Sequence, residues 1–270
     1  MKDTTFNFSR LIHLLHKDVA ENWRKYILYV GTMFGVFVIF FLWRGFFVYK
    51  VTPTDVPDRM ASACVNMFIA MWFIYGCVSA SFTMENLKRK SNRISVFTLP
   101  ATPLEKYFSR WFMHTVIFLL LFVFSFKLAD YIRVLVFSLS FPSISVHPVS
   151  LNSIFTISGL DYHLYTHMSY VSGLVIGYFF LQSCFVLGSV CWPKNAFPKT
   201  FLALFCILIL FSVALWGIVR IFLFKETLQG VHIENGSDIL GRNIYWALGI
   251  GFTLFNWIIG YYRFKETDIL

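Results

Sequence analysis

Charge is what this sequence has least of. Only 14% of its 270 residues are Asp, Glu, Lys or Arg, where an ordinary soluble domain carries about 25%. The hydrophobic share is 57%, with 33 phenylalanines. Both departures point toward lipid, because a soluble core does not need apolar runs this long and this free of charge. Cysteine is scarce as well. Cys64, Cys77, Cys184, Cys191 and Cys206 all fall in or at the edge of apolar runs, and no CxxC occurs. A disulfide framework and a zinc site are therefore unsupported, and the thiols read as small buried hydrophobes.

The reactive motifs are missing too. There is no GxxxxGK[ST], so the chain has no Walker loop for a nucleotide. No HExxH, GxSxG or paired-carboxylate pattern sits in an apolar run. The chain is expected not to be an enzyme by itself and to hold no cofactor. Ionisable residues inside the apolar runs are nearly absent, which argues against an ion-driven carrier. His114 and Asn66, each inside a run, read as packing groups with their hydrogen bonds satisfied. The N-terminus lacks a cleavage site, and Lys2, Arg10, Lys17, Arg24 and Lys25 are spread through it, so no cleaved signal is expected.

What is present is six apolar runs. A spanning helix needs about 20 residues to cross a hydrocarbon layer of about 30 Å. Runs near 26–43, 61–83, 111–128, 169–191, 200–219 and 244–262 meet that length. The third is the weakest, because Lys127, Asp130 and Arg133 follow Phe126 at helical spacing. Either Lys127 snorkels to the interface, or the helix continues to about Phe137 with Asp130 paired to a neighbour in the chain.

The net charge of +9 has a simple origin in such a chain. Lys and Arg are retained on cytoplasmic loops and fix orientation. With the N-terminus inside, 15 of the 23 basic residues fall in inside segments and 8 outside. Both termini are then cytoplasmic, and no nucleic-acid partner is expected. Trp and Tyr near the ends of the runs, among them Trp43, Trp111, Trp192 and Tyr262, fit an interfacial belt. Residues 1–25 read as an amphipathic helix at the cytoplasmic interface. Phe8, Leu11, Ile12, Leu15, Val19 and Trp23 form one face, while Lys17, Asp18, Glu21 and Arg24 take another. The expected fold is an all-α integral membrane protein: this helix, a six-helix transmembrane domain over 26–262, and a cytoplasmic tail at 263–270.

Two further patterns bear on packing and ligands. Gly31 with Gly35, and Gly173 with Gly177, are small-xxx-small pairs that let helices approach closely, inside the bundle or at a dimer face. Asp161, His163 and His167 are the nearest approach to a metal ligand set, with two His at i and i+4. They stand in an expected exterior loop without a second ligand set, so no metal is expected.

The segment 84–110 breaks the apolar pattern. Thr102-Pro103-Leu104-Glu105 is a capping box with proline at the first helical position, so a helix starts there. Pro100 keeps the preceding segment from joining that helix smoothly. Glu85 to Arg93 reads as an extension of the second span. Between the two rods, Ile94, Val96, Phe97 and Leu99 are apolar and framed by charge, which is the composition of a surface that meets a protein. Phe97 and Leu99 form an apolar knob; Pro100 and the Thr102–Glu105 cap fix its mount; Arg93 is placed to pair with an acid on a partner.

From Asn92-Arg93 through Leu99-Pro100-Ala101-Thr102 to Glu105-Lys106 and Arg110, the chain resembles the permease subunits of ABC exporters of the second exporter type. The resemblance extends over most of the chain: six spans, an amphipathic helix before the first, and a segment between the second and third that couples to an ATPase. It implies a multi-pass protein of a bacterial cytoplasmic membrane, paired with a second permease chain. It also implies a cytoplasmic ATPase subunit that carries the ATP and Mg, and outward movement of a substrate. The long segment near 130–168 and the charged end of the third span depart from that pattern. Competing readings are a non-transporting membrane sensor or assembly factor, and a lipid-active enzyme, which would need a polar cluster at the interface.

Overall fold

In the computed structural model the structure describes residues 6–51, 56–142, 146–150, 167–223 and 237–269. Among them the chain is 89% helical with no strand. The helices are α1 (Phe8–Val51), α2 (Val56–Ser81), α3 (Lys90–Phe97), α4 (Pro103–Phe112), α5 (Phe118–Ser140), α6 (His167–Cys191), α7 (Ala196–Leu223) and α8 (Ser237–Ile269). A short 3-10 turn (Glu85–Lys88) precedes α3, and a π-helical step (Met113–Ile117) joins α4 to α5. Six of the helical rods are long and apolar enough to cross a membrane. The chain is thus built as a multi-pass membrane protein.

Two expectations about helix ends change. The amphipathic segment and the first span are a single unbroken helix of 44 residues, since neither Pro nor a Gly pair interrupts residues 8–30. The third span is longer than its uncharged part. The rod from α4 through the π step and α5 runs from Pro103 to Ser140, and Asp130 is paired with Arg133 at 2.8 Å, both buried. Of the two readings of its charged end, the continued helix is the one found.

The chain forms two compact units. One comprises Met1–Ser79 and Leu99–Tyr178; the other comprises Ala80–Thr98 and Phe179–Leu270. In the first, α1 packs along the α4–α5 rod. Its core is aromatic: Phe37 meets Phe122 and Phe126 at ring-centroid distances of 5.4 and 5.5 Å, Phe41 meets Phe126 at 5.6 Å, and Phe68 of α2 meets Phe126 at 4.8 Å. Lipid tails are as apolar as these rings, so the preference for one another rests on close edge-to-face packing rather than on escape from water. Glycines admit the largest rings. A Cβ at Gly45 would stand 2.4 Å from the Phe137 ring, and one at Gly76 would stand 2.4 Å from Tyr178.

In the second unit, α6 and α7 approach at Gly188, where a Cβ would stand 1.9 Å from Thr200 Oγ1. Phe185 stacks on Phe197 at 5.4 Å beside that contact. Asn195, in the turn between the two helices, takes a left-handed φ of 58°, which Asn tolerates better than most residues. Asn256 of α8 donates to Ser183 Oγ at 3.0 Å and to Cys184 Sγ at 3.4 Å, joining α8 to α6. Along α7 the side chains of Phe201, Leu208, Leu210 and Trp216 are exposed, as a lipid-facing helix requires.

Candidate functional site

The charged, proline-broken segment between the second and third spans folds as two short helices around a tight joint. α2 stops at Ser81, and Thr83 Oγ1 donates to the Ala80 carbonyl at 2.7 Å, closing the helix end. The sequence expected this helix to run on to Arg93. Instead the 3-10 turn intervenes, Arg89 is extended, and a separate helix begins at Lys90. Thr98 ends α3, its hydroxyl donating to the carbonyls of Ile94 and Ser95 at 2.9 and 3.1 Å. Ala101 N then donates to the Leu99 carbonyl at 2.8 Å, tightening the turn through Pro100.

The capping box is formed as its residues require. Glu105 N donates to Thr102 Oγ1 at 3.2 Å, and Thr102 N donates to Glu105 Oε2 at 2.8 Å. Glu105 does more than cap. Its other oxygen, Oε1, accepts from Asn7 N at 2.7 Å and from Arg10 Nη2 at 3.2 Å, and the side chain is fully buried. The start of α4 is thereby fixed to the start of α1. Sequence reasoning missed this role. No pattern in the sequence singles out Glu105 among its acids as the partner of Arg10.

The residues named for the knob divide. Phe97 is half-buried, its ring 5.8 Å from that of the fully buried Phe264 in α8. Leu99 is half-buried and Pro100 exposed. Val96 is buried, whereas Ile94 is 64% exposed. The apolar group offered outward is therefore Ile94. Around it Lys88 to Ser95 are all exposed, and this stretch includes Lys88, Arg89, Lys90 and Arg93 with no acid among them. Arg93 Nη2 donates to the Leu87 carbonyl at 3.3 Å, which holds its stem against the 3-10 turn. The result is an isoleucine on a basic knuckle.

Other positions named from sequence are placed as follows. Among the described residues, nothing lies within 4 Å of a Cβ built at Gly31 or Gly35 of α1; Gly173 and Gly177 are half-buried in α6. His114 is packed against Ser79, but Asn66 is exposed on α2 rather than enclosed. Cys64 is buried, Cys77 and Cys184 are half-buried, and Cys191 and Cys206 are exposed. The last two therefore face the surroundings of the helices instead of a core. Asp161 and His163 lie outside the described residues, as does the His167 side chain; among the described residues no cluster of metal-ligating side chains occurs.

No protein-family model, no curated protein and no solved structure matches this chain. Function rests on the geometry and on the resemblance of residues 92–110.

Proposed function

We infer that the chain is the membrane-spanning permease subunit of an ATP-driven exporter, with its termini and the 84–110 segment on the cytoplasmic side. The energy comes from a separate ATPase subunit that binds ATP and Mg, and a second permease chain completes the pathway. One observation carries the reading: an exposed apolar residue on a basic knuckle, a few residues before a spanning helix begins. Only Thr98 to Thr102 separate α3 from α4 in the chain, and they hold a proline, a tight turn and the capping Thr102. A push by a partner on α3 would reach α4 through these residues. The crossing from one compact unit to the other occurs in the same stretch, between Thr98 and Leu99. The four cations around Ile94 suit a partner surface with an apolar pocket rimmed by acids.

The test separates coupling from folding. Ile94→Asp puts a charge where nothing is buried, so insertion and thermal stability should stay at wild-type levels. ATP hydrolysis by the co-purified partner, stimulated by the permease, should be lost. An Ile94→Asp chain that still retains its ATPase and stimulates it fully would place the lever elsewhere, with the exposed face of the N-terminal part of α1 next in line.

A further inference from the structure

Lys127, Asp130 and Arg133 recur every three residues along α5, which otherwise carries no charge. Ionisable groups within a spanning helix mark an ion or proton path by default. These are turned inward and bonded to one another and to the chain. Asp130 is fully buried and Arg133 is 3% exposed. Arg133 Nε and Nη2 reach Asp130 Oδ1 at 2.9 and 2.8 Å, and Nη1 donates to the Tyr49 hydroxyl at 3.3 Å.

Among the described residues, the further bonds of the row go to the main chain of one segment. Arg133 Nη2 donates to the His147 carbonyl at 2.9 Å. Asp130 Oδ2 accepts from Val149 N at 2.7 Å. The Lys127 ammonium donates to the Val149 carbonyl. Both polar groups of Val149 are thus satisfied by side chains of a helix, as a neighbouring strand would satisfy them in a sheet. His147 and Pro148 are exposed, whereas Val149 is 5% exposed and belongs to the aromatic core, with Val146 half-buried against it.

We propose that Lys127, Asp130 and Arg133 form a clamp for the main chain of a non-helical peptide segment, and that its ligand is the chain's own residues 147–149. The clamp grips main-chain groups and is indifferent to the exposed side chains of His147 and Pro148. Hydrogen bonds to charged groups are stronger than those between neutral ones, so the buried row can hold the segment without a partner strand. Through Tyr49 the same row reaches the end of α1, so residues 147–149 are tied to a row that joins α5 to α1. The proposal does not depend on the permease reading.

Thiol labelling of the full-length chain in nanodiscs tests it. In an otherwise cysteine-free background, Val149→Cys should react slowly with a maleimide. Adding Asp130→Ala or Arg133→Gln should raise that rate about tenfold or more, the loss expected when hydrogen bonds to charged groups go. Adding His147→Ala should leave the rate within about twofold. A Phe122→Cys reporter, fully buried in the aromatic core, should stay protected in every variant. Unchanged labelling in Asp130→Ala overturns the clamp. So does an effect of His147→Ala as large as that of Asp130→Ala, because side-chain recognition would then hold the segment. Opening of the Phe122→Cys reporter in the same variants also overturns it, by making the row a support of the core. Amide exchange of Val149, with the native valine in place, gives a second readout: Asp130→Ala should speed it about tenfold, and an unchanged rate counts against the proposal.

Discussion

Arg10 and Glu105 lie 95 positions apart and meet at 3.2 Å, with Glu105 fully buried. Farther along the same two rods, Tyr49 and Arg133 meet at 3.3 Å. The first contact joins the N-terminal parts of α1 and the α4–α5 rod, and the second their C-terminal parts, so the two rods run parallel. Phe37 and Phe122 meet between them. An amphipathic start is compatible with the unbroken helix α1. Leu11 alone of the apolar face is buried, while Phe8, Ile12, Val19 and Trp23 stay exposed and are suited to the lipid interface.

Glu105 should tolerate glutamine better than alanine. Gln keeps both halves of the capping box if its carbonyl accepts from Thr102 N, but its NH2 then faces Asn7 N and Arg10, so their acceptor goes with the charge. Ala removes in addition the half of the box that the carboxylate makes, leaving only the bond from the main-chain N to Thr102 Oγ1. Expected losses are about 1–2 kcal/mol for Glu105→Gln and roughly 2–3 kcal/mol for Glu105→Ala. The Arg10 side chain, 25% exposed, can turn to water, which limits the second value. Thr102→Ala should cost about 1 kcal/mol. Thermal unfolding in detergent ranks the three; a Gln variant as unstable as the Ala one would show that the contacts of Oε1 with Asn7 and Arg10, not the cap, dominate.

Phe97→Ser should destabilise where Ile94→Asp does not. The Phe97 ring packs on Phe264, and removing a half-buried aromatic should cost roughly 1–3 kcal/mol, below the range for a fully buried one. Thermal unfolding should separate the two variants by several degrees. Equal stability would mean that the ring contact contributes nothing and that Phe97 is free to act as the knob.

The six spans and the Thr102 cap were legible because each is a local pattern: a run of apolar residues, or four residues in a fixed order. The start of α3 was not. Glu85 to Arg93 has ordinary helical composition, and nothing in it announces the extended Arg89 that separates the turn from the helix. The role of Glu105 was half legible, since its cap partner is three residues away but its other partners are Asn7 and Arg10. Ile94 and Phe97 are alike in composition, and only the position of Phe264 decides which one is covered. Gly188 carries no small-xxx-small signature, yet it makes the close approach that Gly31 and Gly35 do not.

That difference among glycines is measurable. Gly188→Ala places a methyl against Thr200, and Gly76→Ala one against the Tyr178 ring; each should cost roughly 1–3 kcal/mol through overpacking. Gly31→Ala and Gly35→Ala meet open space and should be neutral or stabilising by up to about 1 kcal/mol through helix propensity. Should the Gly31 and Gly35 variants instead lose stability only in the assembled complex, that face of α1 meets a second chain.

Orientation rests on the excess of Lys and Arg in the segments taken as inside. Lys194→Cys, exposed in the turn before α7, should label with an impermeant thiol reagent only after the cytoplasmic face is opened. His147→Cys, exposed after α5, should label in intact cells. The reverse pattern would invert the protein and move the basic knuckle to the side without ATP. Lys194 serves better than Asn195, whose left-handed backbone would strain a cysteine.

The π-helical step should prove harder to remove than its cross-helix bond. A π turn adds a residue to the helix and leaves a carbonyl without its usual partner. Ser79 Oγ stands 3.2 Å from the His114 carbonyl, to which it donates, and 3.3 Å from His114 Nδ1. Ser79→Ala removes that bond alone and should cost about 0.6–1.7 kcal/mol, the range for hydrogen bonds between membrane helices. Deleting Val116 restores an ordinary α pattern, which local preference would favour. It also turns Pro103–Phe112 by about 100° relative to α5. Glu105 would then leave Arg10 and Asn7 while Arg133 kept Tyr49, because both contacts depend on one register along the rod. The deletion should therefore cost several times more than Ser79→Ala, and replacing Arg10 should add little to it. Thermal unfolding of the single and combined variants decides the matter. A deletion variant as stable as the wild type would mean that the extra residue does not set the register between the two ends of the helix pair.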